Sequence, residues 1–378
     1  MNPVPRLFAA SAIAALGAVQ AADWTPERHS GHDDRDRSGA VYTMTNAADG
    51  NAVLVFTRAA DGTLTPAGTY ATGGRGLGSG LGNQGGVVLS EDGRWLFAVN
   101  AGSDQLTVFP VRPNGLGTPR TVDSAGDRPV SVTSSDELVY VLNAGSDSIA
   151  GFRLDRRGQL EPIADSTRPL STAGTAPAEI QFSPDGRALV LTEKATNLLL
   201  VYEVGRDGLP EEAPEIIDSA GQTPFGFDFG KHRNLFVSEA AGGAPGASSV
   251  SSYRLTRGGG LALVDAAAPT DLTAACWVVV TPDGRYVYTA TAGSSAIAGF
   301  RADRRGALTR LDADGVTAST GPGSVPIDLA ISEDGHFLYA LSARTGTLSA
   351  FDIAADGSLV PLATQGGLPP TANGLAAD

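Results

Sequence analysis

Two glutamates, Glu193 and Glu239, close the short apolar runs "ALVLTE" and "NLFVSE" at equivalent places in the chain. A carboxylate there can take a proton from water, which is what hydrolysis of an ester-like bond requires, together with a group that steadies the developing oxyanion. Glu179 in "APAEIQF" and Asp328 in "VPIDLAI" lie on segments expected to reach the same end of the fold. Converging carboxylates either bind Ca²⁺ or raise one another's pKa into the range of a general base. The competing reading is an acidic rim, solvated or paired with Arg128 and Arg344, and clustered charge alone does not decide between them. Arg75, Arg128, Lys194 and Trp277 are the remaining candidates for holding a ligand, with Arg75 or Arg128 as the group that steadies a developing oxyanion.

The other nucleophiles and bases are poorly placed. His232 and His336 fall in turns, and His29 and His32 fall in a charged N-terminal stretch. No histidine is therefore positioned as a base, so serine–histidine and cysteine–histidine schemes are disfavoured. Cys276, the single cysteine, opens the apolar run "CWVVV" and reads as a packed thiol. In "TGGRGLGSGLGNQGG" (72–86), Gly80, Gly82 and Gly85 fit G-x-G-x-x-G, but no strand–loop–helix unit surrounds them. Two readings remain for this stretch: an anion-holding nest of glycine N–H groups with Arg75, or an irregular crossing between units. The stretch "AAGGAPGASS" (240–249) is an insertion expected on the ligand face, as a lid or partner contact.

The elements that position these residues are repeated. "SEDGRWLFAVN" (90–100) recurs as "TPDGRYVYTAT" (281–291), "SEDGHFLYALS" (332–342), "SPDGRALVLTE" (183–193) and, with a worn turn, "TSSDELVYVLN" (133–143). Seven alternating segments each carry one aromatic: Phe56, Phe109, Phe152, Tyr202, Tyr253, Phe300 and Phe351. Six residues after each stands a glycine: Gly62, Gly115, Gly158, Gly208, Gly259, Gly306 and Gly357. Each unit reads as strand, Asp-Gly turn, strand, polar loop, strand, glycine turn, strand. Four antiparallel strands at spacings of 43–53 residues predict an all-β, seven-bladed propeller, because one blade cannot bury both faces alone. "AVYTMTN" (40–46) matches a second strand without a first, and "TANGLAAD" (371–378) a first strand without a second. Their pairing is expected to close the ring.

The chain has 378 residues and a formal net charge of −14. Such a surface repels nucleic acid and anionic lipid, leaving a small-molecule ligand or a protein as expected partners. Residues 1–21 read as a signal peptide: Arg6, an apolar run from Leu7 to Val19, and Val-Gln-Ala before a cut expected at Ala22. Residues 22–39 read as a disordered linker and 40–378 as the propeller. The expectation is a monomer in the periplasm or outside the cell, with no membrane insertion and no cofactor except possible Ca²⁺.

The runs "GGRGLGSGLGNQGGVVLSEDGRWLFAVNAGSDQLTVF" (73–109) and "SPDGRALVLTE" resemble the seven-bladed propeller lactonase family. That family includes one type of 6-phosphogluconolactonase and the carboxymuconate-lactonizing enzymes. The resemblance implies a histidine and an arginine ahead of two successive first strands, a glutamate ending a second strand, and another arginine at the channel mouth. These positions fall on Val130, Ala178, Lys194 (with Glu193 one residue away) and about Thr273. None keeps the family residue. Two functions stay open on this evidence: hydrolysis of a small anionic lactone with Glu193 or Glu239 as base, and a non-catalytic propeller that binds a ligand or partner.

Overall fold

The computed structural model describes Met1 and residues 38–378; the expected signal peptide and most of the linker lie outside the described residues. Seven antiparallel sheets follow one another, and their first strands neighbour each other in chain order until the last meets the first. Blade 1 is built from both ends of the stretch 38–378. Gly39–Met44, Ala52–Arg58 and Leu64–Ala71 supply three strands, and Asn373–Ala377 supplies the innermost. Val41 faces Ala377, and Tyr42 faces Ala376, so the terminal pairing expected from the sequence is present.

The remaining blades begin with the first strands Val87–Leu89, Pro129–Ser135, Pro177–Phe182, Pro224–Phe229, Ala275–Val280 and Pro326–Ile331, for blades 2 to 7 in that order. All seven repeated aromatics are buried in third strands. The glycine six residues on has a positive φ in every blade, between 78° and 117°. That conformation suits glycine, and so does the space. A Cβ on Gly158 would collide with the Trp95 ring, and one on Gly357 with the Tyr286 ring, each belonging to the preceding blade. Tyr140, Tyr288 and Tyr339 of the preceding blades donate their hydroxyls to the carbonyls of Gly208, Gly357 and Gly62, at 2.7, 2.8 and 3.0 Å. The fixed aromatic–glycine spacing therefore records how blades dock on one another.

Near the axis, side chains replace the missing strand pairing between blades. Thr133 Oγ1 accepts a hydrogen bond from the Phe182 amide at 3.0 Å, and Glu179 Oε2 from the Phe227 amide at 2.7 Å. Asp228 Oδ2 accepts from the Val280 amide at 2.8 Å. Each link satisfies a buried N–H that no sheet partner reaches. Among the described residues no helix is long and apolar enough to cross a membrane.

Candidate functional site

First strands begin, and second strands end, on one face of the propeller; the Asp-Gly turns lie on the other. On the first face the glycine-rich segment enters the mouth of the central channel and closes it. Lys194 Nζ donates to the Gly82 carbonyl at 2.5 Å, and Trp277 Nε1 donates to the Asn83 carbonyl at 2.6 Å. The Asn83 side-chain amide donates to the Val130 carbonyl. The Gln84 amide N–H donates to the Ala178 carbonyl at 3.0 Å, and Val132 N–H donates to the Gly85 carbonyl at 2.9 Å. The Gln84 side chain behaves like a strand partner: its Nε2 donates to the Val278 carbonyl at 2.7 Å and its Oε1 accepts from the Val278 amide at 2.9 Å. Residues 82–86 thus form a plug tied to blades 3, 4 and 6, with Gln84 Nε2 also 3.5 Å from the Phe227 carbonyl of blade 5.

Local packing makes room for the plug. A Cβ on Gly226 would strike Gln84 Oε1 and would lie 2.7 Å from the Cys276 carbonyl. Lys194 sits 4.7 Å over the Phe225 ring, which packs against Trp277 with centroids 5.0 Å apart. Burial lowers the Lys194 pKa to about 8, with Arg128 pushing the same way and Cys276 opposing. Burial likewise pushes the Cys276 thiol up to about 12, which leaves it a packed thiol, as expected.

Behind the plug the channel holds a cavity of about 330 Å³, roofed by Gln84 and running toward the turn face at Leu89 and Ile331. Glu179, Gln181, Asp228 and Asp328 supply its polar lining, and no arginine, lysine or histidine lines it. Burial raises all three carboxyl groups. Glu179 and Asp328 rise well above the usual range, Glu179 with further pressure from Asp228 and Asp328. Asp228 rises to about 6, its burial partly offset by the amides of Val280 and Phe229 and by the Gln181 side chain. Among the described residues no group of three or more His, Cys, Asp or Glu is arranged to hold a metal ion.

The raised carboxyls set a pH dependence. Folded Asp228 keeps its proton to about pH 6, whereas the group's ordinary value is 3.8. The folded state therefore binds more protons between these values, so stability is fully present below about pH 4 and is lost as pH rises through 6. A shift of this size corresponds to about 3 kcal/mol. Glu179 and Asp328 act in the same direction. Melting temperature should fall between pH 4.5 and 7.5, and Asp228→Asn should make that fall shallower. Parallel curves for parent and variant would show that Asp228 is not the group responsible.

The structure divides the candidates read from the sequence. Glu179 and Asp328 share the channel cavity, whereas Lys194 and Trp277 hold the plug. Glu193 and Glu239 are braces. Glu193 accepts from the Ser171 amide at 3.0 Å, the Ser171 hydroxyl at 2.5 Å and the Thr196 hydroxyl at 2.6 Å. Glu239 accepts from the Gly221 amide at 3.0 Å, the Ser249 hydroxyl at 2.5 Å and the Ser251 hydroxyl. Both are fully buried, and each ties the loop entering its own blade. Asn143 does the same job in blade 3, donating to the Ser124 carbonyl at 3.0 Å. As folded, both carboxylates are shut off from solvent and occupied by amide and hydroxyl donors.

Arg75 and Arg128 are exposed on the loop face and are anchored through their backbones, Arg75 N–H to Ser103 Oγ and Arg128 N–H to Asp104 Oδ1. The nest reading meets an obstacle, because the amides of Gly76 and Gly78 already donate to Ala47 and Asn46 carbonyls. In the 240–249 insertion the Gly246 amide is held by Thr273 Oγ1 at 3.0 Å. Asp228 was missed. Its signal was the alignment of "FGFDF" with "AEIQF", which puts Asp228 at the inward position of Gln181.

The profile of the family described as "Lactonase, 7-bladed beta-propeller" matches residues 28–169 and 247–372, well over half of the chain. The chain belongs to the seven-bladed β-propeller lactonase family. A 6-phosphogluconolactonase of Erwinia tasmaniensis is 22% identical over 281 residues, covering 73% of this chain and 69% of that protein. A 6-phosphogluconolactonase of an Enterobacter species is 27% identical over 129 residues, 32% of this chain and 39% of that protein. A periplasmic gluconolactonase of Pseudomonas aeruginosa superposes with a TM-score of 0.65 at 18% identity, covering 89% of this chain and 99% of that one, a likeness of fold. Within the family frame, the positions implied for the catalytic histidine, arginine and glutamate are Val130, Ala178 and Lys194. Those three residues hold Asn83, Gln84 and Gly82.

Proposed function

We propose that this chain is an exported, ligand-binding member of the lactonase family that does not hydrolyse lactones at the family's channel mouth. Its ligand is an uncharged, hydroxyl-rich ring of the size of a sugar lactone, taken into the cavity behind the plug. The observation that carries this reading is the use of Val130, Ala178 and Lys194 to hold residues 82–86. A cavity of about 330 Å³ is at the small end of small-molecule sites. Its carboxyl groups, two of them held well above their ordinary range by burial, can donate and accept hydrogen bonds with hydroxyls. The absence of any cation from its lining argues against a phosphorylated or carboxylated ring, and so against the anionic lactone expected from sequence.

A second reading, hydrolysis of a neutral lactone inside the channel, draws support from Asp228. A carboxyl near 6 suits a general base at neutral pH. Proton release from a panel of neutral and anionic lactones, measured at constant pH, tests both. The binding reading expects no release above the protein-free rate. Hydrolysis that rises through about pH 6 and disappears in Asp228→Asn would establish the second reading. Hydrolysis lost in Glu193→Gln or Glu239→Gln, both still folded, would instead restore the scheme read from the sequence.

A further inference from the structure

We propose a separate anion-binding site in the groove between blades 4 and 5 on the turn face, formed by Arg187 and Arg257 with Arg233 and Arg206 beside them. The repeats supply an internal comparison. In blade 2, Arg94 Nε pairs with Asp92 of its own turn at 2.5 Å, and in blade 6 Arg285 pairs with Asp283 in the same way at 2.5 Å. Blade 4 carries the same Asp-Gly-Arg turn at 185–187. There Asp185 Oδ2 is taken at 3.1 Å by Arg233 of blade 5. Arg233 also donates to the carbonyls of Leu255 and Thr256, at 3.1 and 3.0 Å, which fixes it in place. It is aimed there by two consecutive left-handed residues, His232 at φ 61° and Arg233 at φ 65°, an uncommon backbone for non-glycine residues.

The exchange leaves Arg187 without its usual partner. Among the described residues Arg187, Arg206 and Arg257 make no ion pair. Arg187, Arg233 and Arg257 line a hollow of about 460 Å³ with Asp185 and Glu203, and Arg206 lines an adjoining hollow that shares Arg187. Once Arg233 neutralises Asp185, Arg187 and Arg257 face one carboxylate, Glu203, with Arg206 in the adjoining hollow, on a chain whose net charge is −14. Planar forks set around a pocket suit a tetrahedral oxyanion with several acceptor oxygens, a phosphate or pyrophosphate group. The ligand class is a small phosphorylated dianion, and the site is independent of the channel.

Calorimetric titration of the full chain with inorganic pyrophosphate at low salt tests the assignment. Saturable one-site binding is expected, weakening as salt rises because the contacts are charged and exposed. The double variant Arg187→Ala/Arg257→Ala, on exposed side chains that leave the core intact, should weaken it at least about tenfold. Arg94→Ala, which removes the self-paired counterpart in blade 2, should leave it unchanged. No saturable binding into the millimolar range would overturn the site. So would equal affinity in the double variant, or an equal loss in Arg94→Ala.

Discussion

A chain cut after residue 370 should lose several kcal/mol of stability, enough to leave much of it unfolded at moderate temperature, since domains are stable by only about 5–15 kcal/mol. The cut removes the innermost strand of blade 1. It exposes the second strand Gly39–Met44 as an unpaired edge and takes away the buried side chains of Leu375 and Ala372. It also strips three links outside the sheet. Thr371 Oγ1 donates to the Thr45 carbonyl at 2.7 Å, Ala40 N–H to the Asp378 carboxylate at 2.6 Å, and Arg58 Nε to the Asp378 carbonyl at 3.1 Å. Arg58 in turn pairs with Asp334 of blade 7 at 3.2 Å, both side chains almost wholly buried, so the loss spreads to the neighbouring blade. Thermal melting of the truncated and full chains decides the matter. Melting within a degree or two of the full chain would mean that the ring does not depend on this closure.

Gly226→Ala should destabilise the fold by about 2–4 kcal/mol and free the plug. The added methyl would occupy the place of Gln84 Oε1 and press on the Cys276 carbonyl. Gln84 must then leave, and the buried Val278 amide loses its acceptor. Gln84→Ala alone should cost less, because it removes the plug's anchor without overpacking. The double variant should be little worse than Gly226→Ala, since both changes break the same contact and their effects are not additive. Freed of its anchor, residues 82–86 should exchange their amide hydrogens faster, while Gly76 and Gly78, held by Ala47 and Asn46, should not change. Additive losses, or unchanged exchange at residues 82–86, would mean that Gln84 does not hold the segment in the channel.

The sequence carried the propeller in plain form because its signals are local. Two-residue alternation, Asp-Gly turns and a glycine six residues after each aromatic all act within one blade and its neighbour. The plug is another matter. Its fifteen-residue parent stretch has no apolar period, and its anchors lie far along the chain, with Val278 194 residues from Gln84. Nothing local distinguishes a glycine-rich crossing from a glycine-rich stopper. Glu193 and Glu239 were legible as equivalent positions but not as braces, since Glu193 is saturated by loop residues Ser171 and Thr196, and Glu239 by the loop amide of Gly221 and by Ser249 and Ser251 of the neighbouring strand, whose hydroxyls carry no pattern that marks them as donors. A hint was present: the same position is asparagine in blades 2 and 3, a residue that ties loops but takes no proton. Glu179 and Asp328 were picked out by the segments expected to carry them to one face, whereas alternation along the first strands, read through "FGFDF", would have added Asp228.

Residues 82–86 occupy the mouth that the family frame assigns to catalysis, and the uptake we propose is of an uncharged ring behind them. Calorimetric titration of the purified chain with gluconolactone and with its 6-phosphorylated counterpart tests it most directly. Saturable heat with the uncharged ring, diminished in Asp228→Asn, and none attributable to the channel with the phosphorylated one, is the predicted result. The phosphorylated ring can still occupy the blade 4–5 groove, so that titration is run on the Arg187→Ala/Arg257→Ala chain. Binding of the phosphorylated lactone by that chain, accompanied by its hydrolysis, would contradict the claim and place the family's own reaction at an open mouth.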